Sequence, residues 1–293
     1  MDILLILIAV ALSEAVILKV RSIVRFGRDV NKLFSLSKDI SEKTFQYGQL
    51  AGLPEPVQRY FRHVLKEGQP YISYVRLFHK GRFRTSLKSG WRNIEGEEYF
   101  TTENPGMIWK GRTTSFTAID KYAGGKGQLK VFFLSLFRIL KREGPVYDKS
   151  EMMRWLAESV WFPTNLLPDE RLQWEPIDAH HALLCFQHAN LQLFFKVSFN
   201  DKGEIVEFET KRYMDPLRQE TWFGRVGSYQ QHNGILIPGM IRALWRLKEC
   251  DFCYAEFEVS RVEYNNPEGT DKYFVEERPA REGSAELVLH NSI

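Results

Sequence analysis

The sequence predicts an α+β protein: one large antiparallel sheet with a few helices packed against it, preceded by an apolar helix. Three observations carry this. About ten segments alternate or are aromatic-rich in the manner of strands, in a chain with 21 Phe, 12 Tyr and 7 Trp. Those segments follow one another without the strand–helix–strand rhythm that builds parallel sheets. Residues 3–12 are an unbroken apolar run. No internal repeat and no Pro/Gly/Ser-rich linker divides the body, so residues 35–265 read as a single domain between an N-terminal segment, 1–34, and a polar tail, 266–293.

The N-terminal segment comes first. After the apolar run, Ser13 and Glu14 interrupt and residues 15–18 are apolar again. At about 1.5 Å per residue, residues 3–18 reach about 24 Å, against about 30 Å of hydrocarbon. Met1-Asp2 supplies no basic n-region for a cleaved signal peptide, whereas Lys19, Arg21, Arg25, Arg28 and Lys32 follow the run. Basic flanks stay on the cytoplasmic side. The expectation is an uncleaved single-pass anchor in the bacterial inner membrane, with the body in the cytosol and a basic amphipathic extension presenting Val20, Ile23 and Val24 near the headgroups. An exported body and a buried N-terminal helix are the alternatives.

In the body, Pro54-Glu55-Pro56 opens a helix whose Val57, Tyr60, Phe61 and Val64 share a face; it ends before Gly68-Gln69-Pro70. Residues 75–79 and 82–87 read as two strands with a turn at Lys80-Gly81, and 92–102, 107–112 and 115–122 as three more. Gly124-Gly125-Lys126-Gly127 is a turn; it lacks phosphate-loop spacing. Residues 129–140 read as strand passing into helix. The clearest helix is 148–160, capped by Asp148 or Ser150, with Met152, Trp155, Leu156 and Val160 on one face. Strands follow near 171–177, 181–188, 191–199, 204–212, 219–230, 241–249 and 253–264, with a hairpin signal at Asn200-Asp201-Lys202-Gly203. A short strand at 286–289 is the one element expected in the tail.

Composition excludes several classes. With 44% hydrophobic and 26% charged residues the chain is neither disordered nor a polytopic membrane protein. The net charge of +3 gives no concentrated basic surface for nucleic acid. Three cysteines exclude a disulfide scaffold. Cys250 and Cys253 have Cys-x-x-Cys spacing, but only Cys185 remains to complete a zinc site, so no metal is expected and the thiols read as unpaired. Nothing indicates a cofactor.

A set of residues spread over 53–265 carries a family resemblance. It begins with Leu53-Pro54-Glu55-Pro56-Val57-Gln58-Arg59-Tyr60 and includes Gly81-Arg82-Phe83-Arg84 and Asp120-Lys121-Tyr122. Its most specific run is Arg154-Trp155-Leu156-Ala157-Glu158-Ser159-Val160-Trp161-Phe162-Pro163, followed by Trp174, Asp178, Arg212-Tyr213, residues 234–238 and Tyr264-Asn265. The body resembles an uncharacterised bacterial family, a domain of unknown function. At fold level it is similar to the lipoprotein-carrier half-barrels, which implies a curved sheet around apolar ligand space with helices plugging the mouth.

Candidate site residues follow. Arg154 and Glu158, four apart on one helix, can fix a ligand headgroup or simply pair. Asp178 and His180 share a strand face and can act as base and orienter. Trp91, Trp109, Trp161, Trp174, Trp222 and Trp245 lie in or beside strands and the main helix, where they either pack a core or line a cavity. The leading expectation is a membrane-anchored protein that binds a lipid or other apolar molecule on the concave face, with Arg154, Glu158, Trp161, Trp174, Asp178 and Trp109 as candidate contacts. A hydrolase using Glu158, Asp178 or His180, and a ligand-free tethered interaction domain, are the competing readings. The sequence leaves the oligomeric state open.

Overall fold

A computed structural model of the chain describes residues 2–268. Two antiparallel meanders make up the sheet. The first runs through β1 (Tyr74–Phe83), β2 (Arg92–Thr101), β3 (Gly106–Arg112), β4 (Phe116–Ala123), β5 (Lys126–Phe133) and β6 (Phe137–Glu143). The second runs through β7 (Leu172–Pro176), β8 (His181–His188), β9 (Leu191–Phe199), β10 (Ile205–Asp215), β11 (Arg218–His232), β12 (Ile235–Arg246) and β13 (Asp251–Tyr264). Antiparallel pairing of β1 with β13 joins them into one 13-stranded sheet, ordered β6-β5-β4-β3-β2-β1-β13-β12-β11-β10-β9-β8-β7. The two edges do not pair, so the sheet is open.

Three helices cover it: α1 (Asp2–Ser35), α2 (Glu55–Val64) and α3 (Pro145–Glu158). The strands alternate as a two-faced sheet must. Phe100 and Met107 enter the main core with α2 and α3, while their neighbours Tyr99 and Ile108 pack on the other face under Phe26, Val30, Leu33 and Phe34 of α1. Ile139 of β6 and Met214 of β10 border one cavity on the α3 side. Nine strand spacings separate them in the sheet order, roughly 43 Å if flat. They share a cavity because the sheet curls.

The clearest departures from expectation concern local chemistry. Lys80-Gly81 is no turn; β1 runs straight through it. Gly81 is there for closeness, since a Cβ would collide with the Glu256 carbonyl and Phe257 on β13. Residues 129–140 contain no helix: they are β5, a turn through Leu134 and Ser135 at positive φ, and β6. The helix expected at 148–160 begins earlier, at Pro145, and no side chain caps it; Gly144 is the cap residue. Asp148 instead accepts the Gly127 backbone N–H at 2.8 Å and pairs with Lys126 at 3.2 Å, which clamps α3 to β5. A Cβ at Gly127 would strike the Tyr147 carbonyl, so its bareness lets the helix seat.

The membrane-anchor expectation is also corrected. α1 is one continuous 34-residue helix whose C-terminal part belongs to the folded body. Among the described residues no helix is long and apolar enough to cross a membrane. The unbroken apolar run stops at Leu12, about half the ~20 residues that a span requires. The strand expected at 286–289 lies outside the described residues, as does the tail from 269 onward.

Candidate functional site

A cavity of about 620 Å³ opens between α3 and the curl of the sheet. Ligand sites commonly enclose about 300–1,000 Å³ and are mainly apolar with a few placed polar groups. This one fits. Its walls include Ile94, Trp109, Val131, Trp222, Trp245 and Phe257, and its polar groups gather where α3 meets the strands: Asp120, Glu151, Arg154, Glu158 and Arg212.

Arg154 organises that end. Its Nε donates to Glu158 Oε1 at 2.7 Å, Nη1 to Asp120 Oδ2 at 2.7 Å and Nη2 to Glu98 Oε1 at 2.6 Å. The i,i+4 spacing on α3 brings Glu158 alongside, β4 supplies Asp120 and β2 supplies Glu98. The guanidinium also lies 4.8 Å over the Trp109 ring. Beneath it, the Trp109 indole N–H donates to His79 Nε2 at 2.8 Å, and His79 stacks on Phe257 at 4.2 Å.

Burial dominates the electrostatics. It raises Glu98 well above the ordinary carboxylate range, with Glu158 adding to the rise and Arg154 opposing it. It raises Asp120 and Glu158 against the pull of Arg154, and pushes Glu151 up to about 8. Burial also works against the charge on Arg154, but Glu158, Glu98 and Asp120 outweigh it and hold the guanidinium charged. His79 is pushed down to about 3 by burial, with Arg154 assisting, so it is neutral and its 3.8 Å approach to Glu98 is not an ion pair. One oxygen each of Glu98, Asp120, Glu151 and Glu158 is buried without a hydrogen-bond partner. Among the described residues no group of His, Cys, Asp or Glu is arranged to hold a metal ion.

The candidates read from the sequence separate cleanly. Arg154, Glu158 and Trp109 border the cavity together. Trp161 and Trp174 do not: both are buried in the core, their indole N–H groups donating to the backbone carbonyls of Pro238 and Leu166 at 3.1 and 2.9 Å. Trp222 and Trp245 join the cavity wall, whereas Trp91 lies under Arg82 and Arg84. Asp178 is exposed and pairs with the His181 ring at 2.8 Å; it accepts only the backbone N–H of His180, whose ring reaches toward Asp201 at 3.8 Å. That pair stands apart from the cavity, with no acid–base partner in Glu158. Cys185, Cys250 and Cys253 are free thiols.

Sequence reasoning missed Glu98 and Glu151, and reached Asp120 and Arg212 only through the resemblance. A signal existed for the strand pair. Glu98 shares a face with Ile94 and Phe100, and Asp120 with Ala118 and Tyr122, so each is a carboxylate at a core-facing position. That reading needs the register, which the alternation of Glu95, Glu97 and Glu98 obscures.

Comparisons with known proteins place the chain without supplying an activity. Residues 43–257 match a Family of unknown function (DUF6544). Among curated proteins there is no match. Two similar solved structures are a LolA superfamily protein from Nitrosomonas europaea and a putative outer membrane lipoprotein-sorting protein domain from Vibrio parahaemolyticus. The first is 11% identical, covers 72% of this chain and 92% of its own, and has a TM-score of 0.42. The second is 10% identical, covers 76% and 93%, and has a TM-score of 0.38.

Proposed function

The chain belongs to this family of unknown function, so its own geometry must carry the reading, and we propose that it binds a lipid or other apolar molecule in the cavity beside α3. The observation that carries this is the cavity itself: about 620 Å³ walled mainly by aromatic and aliphatic side chains, with a cluster of buried charged groups around Arg154. Burying an alkyl chain there contributes about 0.8 kcal/mol per methylene. The polar end fixes the direction in which the chain lies.

The test is direct. Delipidated protein incubated with a bacterial membrane extract retains an apolar molecule, seen by native mass spectrometry as added mass. Ala243 borders the cavity, and Ala243→Trp obstructs it with an indole. That variant melts like the parent and retains nothing. A parent that takes up no lipid, or a variant that takes up as much, overturns the reading.

We further propose that the N-terminal part of α1 enters a lipid surface and brings the cavity to its ligand. Ile3, Leu7, Leu12 and Ile17 are exposed, an arrangement that water does not favour, and Lys19, Arg21, Arg25 and Arg28 follow at headgroup depth. The same basic residues favour an anionic lipid surface such as the cytosolic leaflet of the bacterial inner membrane. The full chain floats with vesicles containing anionic lipid, and a chain lacking residues 1–18 stays in the soluble fraction. Equal flotation of the two removes the proposal.

A further inference from the structure

We infer that the polar end of the cavity selects a cationic headgroup, that of an alkylammonium amphiphile, and rejects carboxylate and phosphate heads. This rests on the cavity-binding reading above and adds the sign of the ligand's head. Arg154 is the residue that would hold an anion, yet each of its three nitrogens already donates to a carboxylate, those of Glu158, Asp120 and Glu98. Arg212, stacked 5.5 Å over Trp222, and Arg92 also border the cavity, and Arg212 Nε is a buried donor without a partner. Set against these guanidiniums are the carboxyls of Asp120, Glu151 and Glu158 on the cavity wall and of Glu98 bonded to Arg154, whose four unpartnered acceptor oxygens outnumber the unpartnered Arg212 donor.

Each of the four also keeps one oxygen buried and unpartnered: Glu98 Oε2, Asp120 Oδ1, Glu151 Oε2 and Glu158 Oε2. Glu151 and Glu158 are only 5% and 8% exposed, and both border the cavity. Unpaired buried acceptors call for donors. An ammonium brings three N–H donors and a positive charge; a carboxylate or phosphate brings only acceptors and more negative charge. A bare metal ion suits the site less, because among the described residues no such group is arranged to hold one: the carboxyls fan around a guanidinium. The raised ionisation of the buried carboxyls fits the same picture, since an empty site holds them partly protonated and an entering cation would favour their charged forms.

The probes are dodecylammonium, 1-dodecanol and dodecanoate, each below its aggregation concentration. Binding to the full chain is read as the difference in titration between the parent and the cavity-obstructing Ala243→Trp, which removes any contribution from α1. The expected order is dodecylammonium tighter than dodecanol by about ten-fold or more, and dodecanoate weaker than both. Glu151→Gln, which touches none of the bonds to Arg154, narrows the preference for dodecylammonium over dodecanol several-fold, and the exposed-surface variant Asp178→Asn leaves that ratio where it was. If dodecanol binds in the cavity but dodecylammonium gains nothing over it, or dodecanoate binds best, the headgroup inference fails while the cavity reading stands. If no probe distinguishes parent from Ala243→Trp, the cavity reading fails and takes the inference with it.

Discussion

One face of a single sheet does two different things along its length. Over β7–β10 it is filled. Tyr60 and Phe61 of α2, Trp155 of α3, and Trp161 and Phe162 just beyond it interlock with Trp174, Phe186, Phe195, Phe199 and Phe208. From β6 around through β1 and β13 to the C-terminal end of β10 the same face is left open beside α3 and lines a cavity. The indoles tell the two apart. In the filled half Trp155, Trp161 and Trp174 each donate to a backbone carbonyl, those of Thr101, Pro238 and Leu166. In the open half Trp109 and Trp222 donate to side chains, His79 Nε2 and Tyr254 Oη. A backbone carbonyl is fixed by the ladder around it, whereas a side-chain acceptor can follow its partner. The filled half is a scaffold, and the open half is furnished with partners that can adjust around a guest.

The sharpest way to break this contrast is to remove one indole from each half. Trp161→Ala should cost about 3–5 kcal/mol in urea unfolding, as expected for deleting a large buried aromatic side chain. Trp245→Ala, at the cavity wall, should cost less than half of that and weaken ligand uptake instead. Equal losses would erase the distinction between scaffold and cavity.

Next in size is the joint between the halves. Arg154→Leu strands buried carboxylates and should cost on the order of 3 kcal/mol at neutral pH. The loss should shrink in acid, where those carboxyls take up protons. Arg154→Lys should recover only part, since an ammonium cannot reproduce three oriented contacts. A pH-independent loss would mean that packing, not charge, explains the residue.

A smaller effect follows from Glu151, held at about 8 chiefly by burial. Its ordinary value is near 4.5, so the folded protein binds the proton more tightly than the unfolded chain. That contribution is fully present below about pH 4.5 and is lost as pH rises through about 8. Chemical denaturation across that window should show the decline, and Glu151→Gln should flatten it. The smallest effect belongs to the surface: Asp178→Asn should change stability by less than about 1 kcal/mol and ligand uptake not at all.

Much of this architecture is legible in the chain, because strand periodicity and hairpin chemistry are local. Leu191 to Phe199 alternates buried and exposed as plainly as any strand, and Asn200 to Gly203 turns the chain back as expected. Failures came where a neighbour decides. Gly81 resembles turn punctuation until the backbone of β13 is seen pressing on it, and residues 129–140 become two strands because β4 offers β5 an edge. The site divided the same way. Arg154 and Glu158 are visible because they lie one helical turn apart. Glu98, Asp120 and Arg212 reach them from three separate strands, and only the curl of the sheet brings those together.

The β1–β13 seam has a consequence for how the protein is made. Within each meander every strand pairs with its predecessor, so both can assemble hairpin by hairpin as they leave the ribosome. The seam cannot: Gly81 pairs with Phe257, 176 residues later. At about 5–20 residues per second, β1 waits roughly ten seconds or more with one edge unpaired. An open edge is a template for any other strand. The nascent first meander is therefore the form of this chain most in need of a chaperone, and β13 ends that exposure by closing the seam.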